Sequence, residues 1–65
     1  MNRYTIRTWA GGKILRVFVA RNARTAARQY RKGAFKICRS DNPISDGKYV
    51  ALTGEQFWVE QEAAE

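Results

Sequence analysis

The sequence predicts an α+β fold: one small domain over residues 1–65, with an antiparallel sheet of three to five strands and one helix packed on one face. Three features predict it. Two segments rich in β-branched and aromatic residues flank Gly11-Gly12, an alanine-rich segment with helical spacing lies between Asn22 and Gly33, and further extended segments follow. The expected order is β-β-α-β-β, with a last segment that reads as a strand or as a short helix.

Residues 3–9 alternate in character and residues 13–20 favour strand. Two glycines adopt positive φ at little cost, so Gly11-Gly12 is expected as a two-residue hairpin loop. Ala10 then pairs with Lys13, Trp9 with Ile14, Thr8 with Leu15, Arg7 with Arg16 and Ile6 with Val17; Thr5 meets Phe18 and Tyr4 meets Val19. This register puts Tyr4, Ile6, Thr8, Leu15, Val17 and Val19 on a core face. The outer face receives Arg3, Thr5, Arg7, Trp9, Ile14, Arg16 and Phe18. Arg7 opposite Arg16 is a mildly repulsive pair.

Asn22 is a good N-cap for a helix over residues 23–32, and Gly33 suits the left-handed position after its end. Ala23, Ala26, Ala27 and Tyr30 make one narrow buried stripe, with Arg24, Arg28 and Arg31 along the outside. No acid stands three or four residues from these arginines, so nothing on the helix offsets their repulsion.

Residues 34–40 read as a third strand with Phe35 and Ile37 inward. SDNPISDG reads as a loop punctuated by Pro43 and Asp46-Gly47, and residues 48–52 as a fourth strand. Thr53-Gly54 turns into residues 55–61 as a strand with Phe57 and Val59 on one side. Alternatively, Thr53 and Gln56 form a capping box that opens a short helix.

A 65-residue chain buries only about 60% of the surface its unfolded form exposes. Little interior remains for an enclosed substrate pocket, so function is expected on an outer face. Charge is divided unevenly along the chain. Residues 1–40 hold eleven Lys and Arg and no acid; residues 41–65 hold Lys48 against six acids, which together give the net charge of +6. Such a division points to an anionic partner for the first part, to a fold that neutralises itself, or to both.

Cys38 is the single cysteine, so no intrachain disulfide forms, which favours a reducing compartment; the expected location is cytoplasmic. The apolar run 14–20 is interrupted by Arg16 and too short to span a bilayer, and no apolar signal segment opens the sequence, so no membrane association is expected.

Histidine is absent, which removes the commonest general acid–base group and metal ligand. One cysteine without histidine builds neither a zinc site nor a Cys-His nucleophile. AGGK lacks the spacing of a phosphate-binding loop and joins two strands. The expected protein is a non-catalytic binder with no cofactor, no metal site and no catalytic residues.

Two surfaces are candidates. The first is the helix stripe of Arg21, Arg24, Arg28, Arg31 and Lys32, extended by Lys36 and Arg39, whose forked guanidiniums match phosphates or carboxylates. Its bland counterpart has Glu55, Glu60, Glu62 and Glu65 folding back onto the stripe. The second is the sheet face of Arg7, Trp9, Arg16 and Phe18, a mixture of cations and aromatics suited to stacking bases or anchoring a protein. Its bland counterpart has Phe57, Trp58 or the C-terminal segment covering that face, with Trp58 in the core.

The layout of hairpin, short helix and strand across VARNARTAARQYRKGAFKI resembles very small phage-encoded host-inhibitor proteins, in particular host-RNA-polymerase inhibitors of tailed phages. The matching positions are Ala20, Ala26, Ala27, Tyr30, Gly33 and Phe35, within residues 14–40. Those inhibitors rely on an acidic surface, whereas this segment is wholly basic, so no functional residue carries over. The resemblance implies an inhibitor of a host machine, a class that includes anti-CRISPR and other counter-defence proteins, acting in the host cytoplasm. The expected partner is then a host protein or nucleoprotein complex bound stoichiometrically. A direct DNA- or RNA-binding module is the alternative, although no helix-turn-helix pair, zinc knuckle or RNP-type strand is visible.

Overall fold

The structure, a computed structural model, describes residues 1–42 and 44–62. Five strands and one helix follow in the order β1 (Asn2–Thr8), β2 (Ile14–Ala20), α1 (Ala23–Tyr30), β3 (Phe35–Arg39), β4 (Ser45–Val50) and β5 (Gln56–Gln61). The strands form one antiparallel sheet in the spatial order β2-β1-β5-β4-β3. The α+β expectation holds, and the ambiguous last segment is a strand, inserted between β1 and β4.

α1 carries the chain from one edge of the sheet to the other. Eight residues at about 1.5 Å each cover about 12 Å, and the edge strands stand about 19 Å apart, so the flanking turns supply the remainder. The Asn22 side chain caps the first turn, accepting from Thr25 N at 2.9 Å. The helix ends at Tyr30, two residues earlier than expected, because Arg31 is already extended (φ −140°). A helix this short is marginal alone, so packing must hold it. Ala23, Ala26 and Ala27 are buried, and their small side chains let the backbone lie close on the sheet.

Tyr4, Ile6, Phe57, Val59 and Tyr49 fill the space beneath the helix, with Ala20, Ala34 and Ala51 at its margins. Tyr30 meets Phe57 edge-on with ring centroids 4.9 Å apart, and Phe57 stacks on Tyr49 at 6.0 Å. Phe57 and Val59 face inward together, as alternation along the last strand requires.

The first hairpin departs from the two-residue loop. Residues 9–13 separate its strands: Thr8 N donates to Lys13 O (2.8 Å), Gly12 N to Thr8 O (3.1 Å) and Lys13 N to Thr8 Oγ1 (3.0 Å). Ala10 (φ 75°) and Gly12 (φ 69°) both take the left-handed conformation that closes this wider turn. Pairing then runs Arg7 with Ile14, skips Leu15 as a bulge, and continues Ile6 with Arg16, Thr5 with Val17 and Tyr4 with Phe18. A one-residue slip moves side chains to the opposite face. Phe18 therefore packs against the core, edge-on to Tyr30 at 6.5 Å, and Val17 and Val19 are exposed on the face away from the helix. Arg16 moves to the helix side, and Arg7 opposes Ile14 instead of Arg16.

Two more expectations are corrected. Phe35 and Ile37 are exposed, because Phe35 pairs with Val50 on the face away from the helix and a bulge at Ile37 breaks the alternation. Asp46 and Gly47 belong to β4, not to a loop; the loop reading at Pro43 lies outside the described residues. At Gly47 (φ 128°) the Cys38 carbonyl comes so close that an added Cβ would lie 2.0 Å from its oxygen. Replacing Gly47→Ala imposes both that collision and a strained backbone, and should destabilise the fold by about 3 kcal/mol, read as a lowered urea midpoint.

Candidate functional site

The two sides of the sheet differ in how their charges are engaged. On the helix side, Arg24 and Arg28 are exposed one turn apart on α1. Arg31 is committed elsewhere: its Nε lies 2.8 Å from Glu55 Oε1 and its guanidinium covers the Tyr30 ring at 4.1 Å. Lys36 is bound to Asp46 (2.9 Å), whose other oxygen accepts from the Tyr49 hydroxyl. Arg16 and Arg39 lie on this side by register, opposite Ile6 and Gly47, while Arg21 and Lys32 are exposed just before and after the helix. Among the described residues, Arg16, Arg21, Arg24, Arg28, Lys32 and Arg39 make no ion pair.

An open groove of about 280 Å³ runs past Arg24 and Lys36, floored by Tyr49. Burial, and then the hydrogen bond to Asp46, push the Tyr49 hydroxyl well above the ordinary tyrosine range, with Arg24 and Arg28 pulling weakly the other way. Tyr49 therefore stays protonated and acts as a fixed donor to Asp46.

On the side away from the helix two arginines are paired with carboxylates, and Lys48 keeps its charge. Arg7 Nε meets Glu60 Oε1 at 2.7 Å while its Nη1 donates to Gly12 O at 2.8 Å, and Arg3 pairs with Glu62 at 3.2 Å. Trp9 stacks on Trp58 with centroids 5.3 Å apart and planes 22° from parallel, and the Lys48 ammonium sits 4.1 Å from the Trp9 centroid. A shallow depression of about 420 Å³ lies between Trp9, Trp58 and the Arg7–Glu60 pair.

The eleven candidate residues thus divide by situation. Arg16, Arg21, Arg24, Arg28, Lys32 and Arg39 keep unpaired charge on the helix side or at its ends. Arg31 and Lys36 are on the helix side but neutralised. Arg7 and Trp9 lie on the opposite face, and Phe18 is a packing residue, not a surface one. Of two further participants, Trp58 was weighed as cover for that face or as core, and Lys48 escaped the sequence reading. Trp58 is half-buried beside Trp9 instead of in the core, although its position between the inward Phe57 and Val59 signalled the outer face. Lys48 above Trp9 had no local signal, since the contact joins β4 to the hairpin turn. Of the acids expected to fold back, Glu55 reaches the stripe, Glu60 and Glu62 go to the other face, and Glu65 lies outside the described residues.

Among the described residues no three His, Cys, Asp or Glu side chains converge to hold a metal, and no helix is long and apolar enough to cross a membrane. No family model, curated protein or solved structure matches this chain.

The Glu55 cluster carries a pH signature. The Tyr30 hydroxyl donates to Glu55 Oε2 at 2.7 Å; that bond, followed by the Arg31 contact, holds the Glu55 carboxyl below its ordinary value against partial burial. A carboxyl lowered by folding contributes stability that is present above the ordinary glutamate range and is lost as pH falls through and below it. Burial and the same bond raise Tyr30, so its contribution is present below the ordinary tyrosine value of 10.0 and lost as pH climbs past it. Glu55→Gln should therefore flatten the acid limb of a urea-midpoint-against-pH curve, and Tyr30→Phe should flatten both limbs.

Proposed function

We propose that this protein is a small non-catalytic binder whose helix side docks onto the phosphates of nucleic acid held in a host nucleoprotein or defence complex, blocking that complex stoichiometrically in the cytoplasm. One observation carries the reading: six cations on or beside one side of the sheet find no carboxylate among the described residues, while Glu55, Asp46, Glu60 and Glu62 are each occupied elsewhere. Arg24 and Arg28, unpaired and one helical turn apart, repel each other mildly, and an anion that joins them offsets that cost. Their fork-shaped guanidiniums suit phosphate oxygens, and association would release the counterions condensed on the nucleic acid. The inhibitor aspect rests on the resemblance to phage-encoded host inhibitors. A free DNA- or RNA-binding module is the second reading, favoured by the fact that the same six cations need no protein contact to engage phosphates.

Fluorescence anisotropy with labelled duplex and single-stranded oligonucleotides, over a range of salt, tests the phosphate reading. Four or five simultaneous contacts should give a log–log salt slope of about −4. Arg24→Gln with Arg28→Gln should make that slope shallower by about 2 and weaken binding without lowering the urea midpoint, since both side chains are exposed and unpaired. No binding at low salt, or a flat slope, overturns it. Equal affinity for naked nucleic acid and for a nucleoprotein complex would favour the free-module reading.

A further inference from the structure

The face of the sheet away from the helix is apolar at both edges and has no covering layer among the described residues. Ile14 (54% exposed), Val17 (43%) and Val19 (54%) stand on β2, Trp9 (44%) lies over the hairpin turn, and Phe35 (52%) occupies the far edge on β3. Cross-strand register places them at the two edges of one face: Val17 opposes Thr5 and Val19 opposes Arg3 at one edge, Phe35 opposes Val50 at the other, and Arg7, Trp58, Glu60 and Lys48 lie between. A sheet with one face under a helix and large apolar side chains on the other normally buries that second face.

We propose that this face is the contact between two copies of the chain, packed sheet against sheet with both helices outward. Three observations favour a second copy as the occupant. The first is charge. The cations without ion pairs lie mostly on the helix side, whereas Arg3–Glu62 and Arg7–Glu60 arrive on this face already neutralised. Glu60 also accepts from Ser45 Oγ (3.4 Å) and Arg7 donates to Gly12 O, so the more enclosed pair keeps its partners when water leaves. The smallest extent of the molecule is 19 Å, so in this arrangement the two cationic sides stand several Debye lengths of about 8 Å apart. A copy charged at +6 therefore meets less repulsion on this side than on the helix side, although Lys48 keeps its charge here.

The second observation is area. Five strands spaced about 4.8 Å apart, with six residues at about 3.3 Å, make a flat footprint of about 480 Å². Side-chain relief raises the accessible area above that footprint, toward the roughly 800 Å² per partner of a stable interface. The third is the core itself. Six of its eleven buried residues are alanines, leaving Tyr49, Phe57, Ile6 and Val59 as the largest fully buried side chains. Chains this small with so little core commonly gain stability by association. The inference is independent of nucleic-acid binding and is tested without nucleic acid present.

Sedimentation equilibrium of the full chain, from micromolar to millimolar concentration, should show the mass rising from 7.5 kDa toward twice that value. The dissociation constant should change less than about threefold on raising salt, because the charges are held apart. Val17→Lys with Val19→Lys, and separately Phe35→Lys, each add cations to exposed positions on this face, and each should weaken the dimer at least about tenfold while leaving the urea midpoint of the monomer in place. A chain that stays at 7.5 kDa throughout overturns the proposal and leaves the face to a different protein. A dimer broken by the β2 variants but untouched by Phe35→Lys also overturns it, since that pattern belongs to edge-to-edge pairing of β2.

Discussion

The turn over residues 9–13 decides which side of the sheet each residue of β2 occupies. Its closure depends on Ala10 holding a left-handed backbone, a conformation that costs a non-glycine residue about 1 kcal/mol or more, and on the Thr8 side chain and backbone, which together make three hydrogen bonds across the loop. The wider turn and the bulge at Leu15 send Phe18 beneath the helix, where it meets Tyr30, and leave Val17 and Val19 facing outward. Beneath a helix whose buried stripe is alanine, one aromatic ring fills space that two valines would leave loose. The same shift carries Arg16 to the helix side. The inward packing of Phe18 and the placement of Arg16 on the helix side both follow from this one loop.

The division of charge is economical in structural terms. Among the described residues, four carboxylates neutralise one cation each, and all four contacts join separate segments of the chain: Arg3 to Glu62, Arg7 to Glu60, Arg31 to Glu55 and Lys36 to Asp46. Exposed pairs of this kind add only about 0–1 kcal/mol each to stability, so their larger effect is on the field the surface presents. They neutralise Arg3 and Arg7 on the sheet face and Arg31 and Lys36 on the stripe, while leaving Arg16, Arg21, Arg24, Arg28, Lys32 and Arg39 unpaired among the described residues. The basic first part of the chain is partly self-satisfied, and what survives is concentrated on one side.

Local rules made much of this legible. The Asn22 cap, the Ala23-Ala26-Ala27 stripe, the turn at Thr53-Gly54 and the inward Phe57 and Val59 all follow from spacing within a few residues, and each stands as read. The hairpin register did not, because Gly11-Gly12 is a good short turn and nothing nearby announces that Ala10 will adopt positive φ. Phe35 and Ile37 read as core by alternation alone; their exposure depends on the partner strand and on a bulge. The helix-side cations were identifiable as a group, whereas the loss of Arg31 and Lys36 to carboxylates, and of Phe18 to the interior, required knowing which distant segments meet. Trp58 covering the face of Trp9 was among the alternatives the sequence offered, whereas the Lys48 contact over Trp9 lay beyond reach for the same reason.

Among the described residues, β5 is the strand that joins the two pairs within the sheet, β2 with β1 on one side and β4 with β3 on the other. Each pair is a local hairpin-like unit, but neither can close the sheet until a strand that follows all four in chain order slides between them. On a translating ribosome the first four strands would therefore wait with their inner edges open, exposed to chaperones and to one another. Assembly would come late and in a single step, so that the two halves acquire their shape, and lose it, together.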